Sequence, residues 1–197
     1  GSDVIVHVVA ETPVLFAVGI PQNTMRIAQA NRPCRVACFN KPGAMTSRTE
    51  QIFFEVFERL PRQGPGNLAC AERALALCAE LPASPRVLDL GCGSGAQTLY
   101  LASLTKGTIV AIDSHAPLVD RLRAKVDEQG LSARVEARVG DMSALDLPPE
   151  SFDLVWSEGA LYNLGLAAAL PMCAGLLRPG GYLAFTEAVW RTTDAPP

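Results

Sequence analysis

Several acidic residues and a cluster of glycines stand in this chain where one kind of chemistry needs them. In "RVLDLGCGSGAQ" (86–97), Asp89 precedes Gly91, Cys92, Gly93 and Gly95, and a helical pattern opens at Ala96. Glycine lets the backbone turn sharply and meet a ligand with no Cβ between them, and the first turn of the helix offers free N–H groups. Such a loop can hold a phosphate, a dinucleotide or an adenosyl sulfonium. The pattern G-x-G-x-x-A that it satisfies does not separate them. Asp113, followed by Ser114, lies 18 residues beyond Gly95, where a carboxylate can accept both hydrogens of a ribose diol. Asp141 can accept from an exocyclic amine, and Met142 can lie flat against a purine. Glu158 and Tyr162, in "SEGALYN", are titratable groups able to take a proton from an acceptor.

These residues fall at the ends of regularly alternating elements. "RVLDL", "TIVAID", "RVEARV", "FDLVWS" and "YLAFTEAV" read as strands, while "AQTLYLASL", "APLVDRLRAKVDEQ" and residues 163–177 read as helices. A Pro-rich loop leads to Ser151, and "RPGG" (178–181) reads as a turn. The alternation predicts an α/β fold, a Rossmann-like doubly wound and mostly parallel sheet with helices on both faces. Ligands on such sheets bind at the carboxyl ends of the strands. Upstream, "MTSRTEQIFFEVFERL" predicts a helix with a Ser47–Glu50 capping box and Ile52, Phe53, Val56, Phe57 and Leu60 on its inner face. "PRQGPG" (61–66) must turn, and Asn67 caps a second helix over 68–80. Residues 12–49 carry five basic residues and no acid, whereas the rest of the chain mixes both signs, so composition shifts near residue 45. The reading is an extension over 1–44, with strand-forming segments around "ETP", and a core over 45–197.

Composition removes several classes. With 49% hydrophobic and 19% charged residues and a net charge of −3, the chain is globular and lacks the basic footprint of a nucleic-acid binder. Six cysteines form no CxxC pair and only two histidines are present, so neither a zinc site nor a redox dithiol is expected. Reduced thiols fit the cytoplasm, and Cys92 reads as a small loop filler. The apolar stretch at 4–20 is interrupted by His7, Glu11 and Pro13, short of the roughly 18 uninterrupted residues of a membrane span, and no basic leader precedes it. His115 is expected at the adenosine edge or in solvent.

Taken together, the motifs resemble the class I S-adenosylmethionine-dependent methyltransferases. "VLDLGCGSG", "VAID", "GDM", "FDLVWSEGALYNLG" and "LLRPGGYLAFTE" match in order over about residues 47–190. "RQGPG" and "WSEGALYN" look most like a bacterial subgroup that acts on small molecules. The resemblance implies S-adenosyl-L-methionine as cofactor rather than NAD, because dinucleotide folds carry an apolar residue where Asp89 stands. It implies that Asp89 serves the methionine end, that Gly91, Cys92, Gly93 and Gly95 line the cofactor, and that Asp113 with Ser114 meets the ribose. Asp141 and Met142 would meet the adenine, and Glu158 and Tyr162 would be the catalytic pair near the methyl group. A small-molecule acceptor is implied, with no metal, nucleic acid or membrane partner; oligomeric state, a dimer included, stays open. The strand-end "SEGA" lacks the D/N-P-P-Y/F sequence of base-amino methylation. Two alternatives remain at this point: a silent domain that binds a protein through its Phe-rich first helix, and an NAD-dependent oxidoreductase. The family fold continues with a strand hairpin beyond the strand ending at Val189, so a C-terminally truncated core is expected. The segment at 4–20 is a candidate substitute for that hairpin.

Overall fold

The computed structural model describes residues 6–9, 15–19, 35–36, 47–64, 66–186 and 189–190. Strands β4 (Arg86–Leu90), β5 (Thr108–Asp113), β6 (Val135–Val139), β7 (Phe152–Glu158) and β8 (Leu177–Thr186) form a parallel sheet. Two further strands, β1 (Val6–Val9) and β2 (Leu15–Gly19), make an antiparallel hairpin whose second member pairs antiparallel with β8. Sheet order is β1-β2-β8-β7-β4-β5-β6. Arg35–Val36 (β3) pairs separately with Val189–Trp190 (β9). The segment read as a substitute hairpin therefore stands on the edge of the main sheet.

Side chains on a strand alternate between faces, and both faces here are apolar because helices cover both. From β4 and β5, Leu88, Leu90, Val110 and Ile112 enter one core with Ala169, Cys173 and Leu176 of helix α5 (Leu166–Leu176). Their neighbours Val87, Ile109 and Ala111 enter the opposite core. Helices α2 (Leu68–Leu77), α3 (Ala96–Leu104) and α4 (Ala116–Glu128) close that second face with Ala74, Leu101 and Leu122. The strand order reverses about β4, whose neighbours β5 and β7 carry the chain to opposite sides. Ligand sites of open α/β sheets lie at this switch point.

The first helix, α1 (Ser47–Arg59), differs from the reading of its sequence. Ile52 and Val56, expected inward, are 47% and 53% exposed. Phe54 is partly buried instead, its ring stacked on His115 at 4.0 Å. Two apolar stripes compete on this helix, and contact with the loop after β5 selects the one bearing Phe54. The Ser47–Glu50 box and the Phe53 side chain lie outside the described residues. α2 ends at Leu77 rather than 80, where the Cys78 N–H turns back to Leu75 O. "RPGG" is not a free turn; it runs within β8 as an irregularity between the β7 partners Phe152 and Leu154, with Gly180 at φ 80°.

Candidate functional site

Asp89, the last residue but one of β4, is 1% exposed. Its Oδ2 accepts from Thr98 Oγ1 of α3 at 2.6 Å. Burial pushes the carboxyl up to about 7, against the lowering effect of Thr98 and with smaller upward contributions from the charges of Glu158 and Asp113. The glycine loop that follows is fastened to β5, since the N–H groups of Gly91 and Cys92 both donate to Ile112 O at 2.8 and 3.1 Å. Gly95 stands at the start of α3 with φ 84°, and a Cβ there would collide with Leu122 of α4. The backbone can thus turn into the helix only without a side chain.

Asp113 joins the two loops at this edge. Its Oδ2 accepts from Gly93 N at 2.8 Å and its Oδ1 from His115 N at 2.9 Å, while Ser114 is exposed beside it. Each oxygen keeps a further lone pair for a diol. Lys125 Nζ of α4 donates to Ser94 O at 2.7 Å, a third tie on the loop. Cys92 is buried, and desolvation with the charges of Asp89 and Asp113 pushes its thiol well above the usual range, which suits a filler rather than a nucleophile. Asp141 is exposed and caps the short 3-10 turn Met142–Ala144 by accepting from Ser143 N at 2.8 Å. Met142 reaches back to the glycine loop, its Cε 3.8 Å from the place a Cβ on Gly91 would take. The loop, Asp113 and Met142 are therefore brought to one edge.

Glu158 and Tyr162 are placed very differently. Glu158, the last residue of β7, is 6% exposed; its Oε2 accepts from Gly66 N at 3.2 Å and from Gln97 Nε2. Arg62 Nη2 stands 3.7 Å from the same oxygen. Burial raises the carboxyl above its ordinary range, while Gln97, Arg62 and the Gly66 amide favour the charged form, as does the Trp156 indole without completing a hydrogen bond. Tyr162, in the 3-10 turn Leu161–Asn163, is 39% exposed.

The residues that sequence reasoning missed come from "RQGPG" and the first turn of α3. Gln63 Oε1 accepts from Ser94 N at 3.0 Å, and its Nε2 donates to Phe57 O and Leu60 O at 3.0 and 3.2 Å. Gly66 approaches so closely that a Cβ would overlap Glu158 and Gln97. The paired glycines of "RQGPG" were the available signal, read as a turn and as a mark of the subgroup but not as part of the site. His115 neither faces solvent nor stands free: its Nε2 donates to Glu58 Oε1 at 2.7 Å, and Arg121 Nη1 of α4 donates to Glu58 O, so the loop after β5 and α4 together dock α1. Among the described residues no group of three or more His, Cys, Asp and Glu is placed to hold a metal, and no helix is long and apolar enough to cross a membrane.

Comparison with known proteins finds methyltransferases. Residues 87–181 match the family described as "Methyltransferase domain". The chain is 31% identical over 115 residues to Methyltransferase GfsG of Streptomyces halstedii, covering 58% of this chain and 41% of that protein. It is 33% identical over 114 residues to Aklanonic acid methyltransferase DauC of a Streptomyces species, covering 56% and 51%. The chain spans about half the length of the curated relatives it matches. A solved methyltransferase of Thiobacillus denitrificans in complex with S-adenosyl-L-homocysteine superposes with TM-score 0.62 at 25% identity, over 73% of this chain and 58% of that one. The YjhP structure of E. coli gives TM-score 0.64 at 26% identity, over 74% and 59%. Over residues 87–181 the chain matches a methyltransferase domain, and its fold is that of the class I S-adenosylmethionine-dependent methyltransferases, which supports S-adenosylmethionine rather than NAD as the cofactor.

Proposed function

We propose that the protein moves a methyl group from S-adenosylmethionine to a small-molecule acceptor by in-line displacement. The observation that carries this reading is the assembly of Asp89, the glycine loop and Asp113 at the switch point of the sheet, with polar atoms left open beside it. S-adenosylmethionine, when bound, supplies an electrophilic methyl on a sulfonium. Asp89 serves the methionine end, and Gly91, Cys92, Gly93 and Gly95 line the cofactor. Asp113 with Ser114 holds the ribose, and Asp141 with Met142 holds the adenine. Alignment in a site bordered by Arg62, Gln63 and Gly66 supplies much of the rate, because positioning and water exclusion lower the barrier to displacement.

An acceptor hydroxyl or protonated amine must also lose a proton. Tyr162, exposed in the turn after β7, carries a titratable hydroxyl, and Glu158 offers Oε1, which has no hydrogen-bond partner among the described residues. The names of DauC and of a 27-O-demethylrifamycin SV methyltransferase of Amycolatopsis mediterranei, 31% identical over 108 residues, speak for a small organic acceptor. The net charge of −3 speaks against a nucleic acid, and thiols without disulfides among the described residues fit the cytoplasm. Calorimetry with S-adenosylhomocysteine tests the cofactor, with binding weakened in Asp113→Ala. Transfer of labelled methyl to a panel of hydroxy- and amino-compounds tests the acceptor class, and binding without transfer to any of them counts against it. The exposed Ile52, Val56 and Leu60 favour a second reading, in which α1 also docks a protein.

A further inference from the structure

Three consecutive peptide units of the glycine loop are each tied by a side chain from a different part of the chain. Asp113 of β5 accepts from Gly93 N, Gln63 accepts from Ser94 N at 3.0 Å, and Lys125 of α4 donates to Ser94 O at 2.7 Å. Gln63 reaches its place because Gly93 has no side chain, since a Cβ there would stand 2.9 Å from Gln63 Oε1. The glycines flanking Ser94 both hold positive φ, 52° at Gly93 and 84° at Gly95. Glycine backbone restrains itself little, so the shape of this stretch is imposed by the side chains around it.

The tie from α4 stands where a cation is disfavoured. Lys125 is half-buried, and desolvation, followed by the charge of Arg121, lowers its ammonium below the ordinary lysine range. Its acceptor, Ser94 O, adjoins Gly95, the N-cap of α3, and so the positive end of that helix. A hydrogen bond to one neutral carbonyl offsets little of this, and groups kept at such a cost to stability commonly serve function. We propose that Lys125 and Gln63 are positioning residues that clasp the two peptide units around Ser94 and hold the glycine loop in the arrangement the cofactor meets. The loop is then ordered before binding, and the entropy of ordering it is not subtracted from affinity. This inference rests on the cofactor reading above and goes beyond it in assigning Lys125 and Gln63 a part in the reaction through the loop.

Calorimetry and urea unfolding on the full chain, run side by side, separate this role from a structural one. Lys125→Met should weaken S-adenosylhomocysteine and S-adenosylmethionine alike by about 5- to 30-fold, the equivalent of fixing one residue's backbone, while its unfolding midpoint stays or rises. Lys125→Arg keeps a donor and should recover affinity to within about threefold of wild type. Gln63→Leu should lose a similar factor, and the double variant should lose less than the product of the two, because both ties restrain one short segment. The clasp is overturned, with the cofactor reading intact, by unchanged affinity in Lys125→Met or by a loss that tracks a lowered unfolding midpoint. Tighter S-adenosylmethionine with unchanged S-adenosylhomocysteine would show that only the charge matters, and losses that simply multiply would show independent ties; either overturns it too. Failure of wild type to bind either probe overturns both readings.

Discussion

At the amino end of β4, β7 and β8, Asp153 accepts from Arg86 N at 2.7 Å and from Arg178 Nη1 at 2.8 and 3.0 Å, and Tyr182 Oη accepts from Glu80 N at 3.1 Å. At the carboxyl end of the same strands, Glu158 is the more deeply buried acid and yet keeps one oxygen open, with Arg62, Ser94 and Gln97 incompletely bonded around it. A buried acid whose partners are all internal contributes to stability; one left incomplete contributes to binding and holds the native state back. On the proposed function, the two ends of one sheet thus separate the tasks of holding the fold and holding a ligand.

Substitution at each end sharpens or breaks this contrast. The largest effect is expected for Gly66→Val, which drives side-chain atoms into Glu158 and Gln97; S-adenosylhomocysteine affinity should fall by more than about 100-fold in calorimetry. Asp113→Ala should follow, with a loss of about 10- to 100-fold, since the ribose acceptor and the tie to Gly93 N vanish together. Asp153→Ala should do the reverse. It leaves Arg86 N without its acceptor and should cost about 1–3 kcal/mol in urea unfolding, with ligand affinity unchanged; a drop in affinity would break the separation of tasks.

A smaller effect should appear in the pH dependence of stability. Asp89 is raised from 3.8 to about 7 by burial, so across that window the native state keeps a proton that the unfolded chain has released. Stability contributed by this group therefore falls as pH rises from about 4 to about 7. Asp89→Asn should flatten that part of the profile, measured as unfolding midpoint against pH. The smallest effect belongs to Val56→Ser on the exposed stripe of α1, within about 0.5 kcal/mol.

Much of the carboxyl edge was legible in the chain because its signals are local. Asp89, three glycines and a helix start lie within one short stretch, and strand-end acids recur where alternation places strand ends. Arg62, Gln63 and Gln97 were not legible, because nothing local marks them: a glutamine in the first turn of a helix reads as an ordinary helix former. Their part depends on Arg62, Gln63 and Gly66 coming back onto the glycine loop and β7, a contact across 92 positions for Gly66 and Glu158. The inward face of α1 was misread for a related reason. Two stripes of similar hydrophobicity fit the helical period, and the choice rests with His115, which belongs to a different element.

The edge hairpin has a consequence for the time course of folding. β2 leaves the ribosome long before β8, yet Leu15 pairs with Thr186 and Phe16 with Phe185. Until β8 is made, the strand has one side without its partner, and closing so long a loop is slow. Nascent chains should pass through an interval in which this edge is open to capture by other strands, and the yield of native protein should depend on how quickly the last parallel strand arrives to claim it.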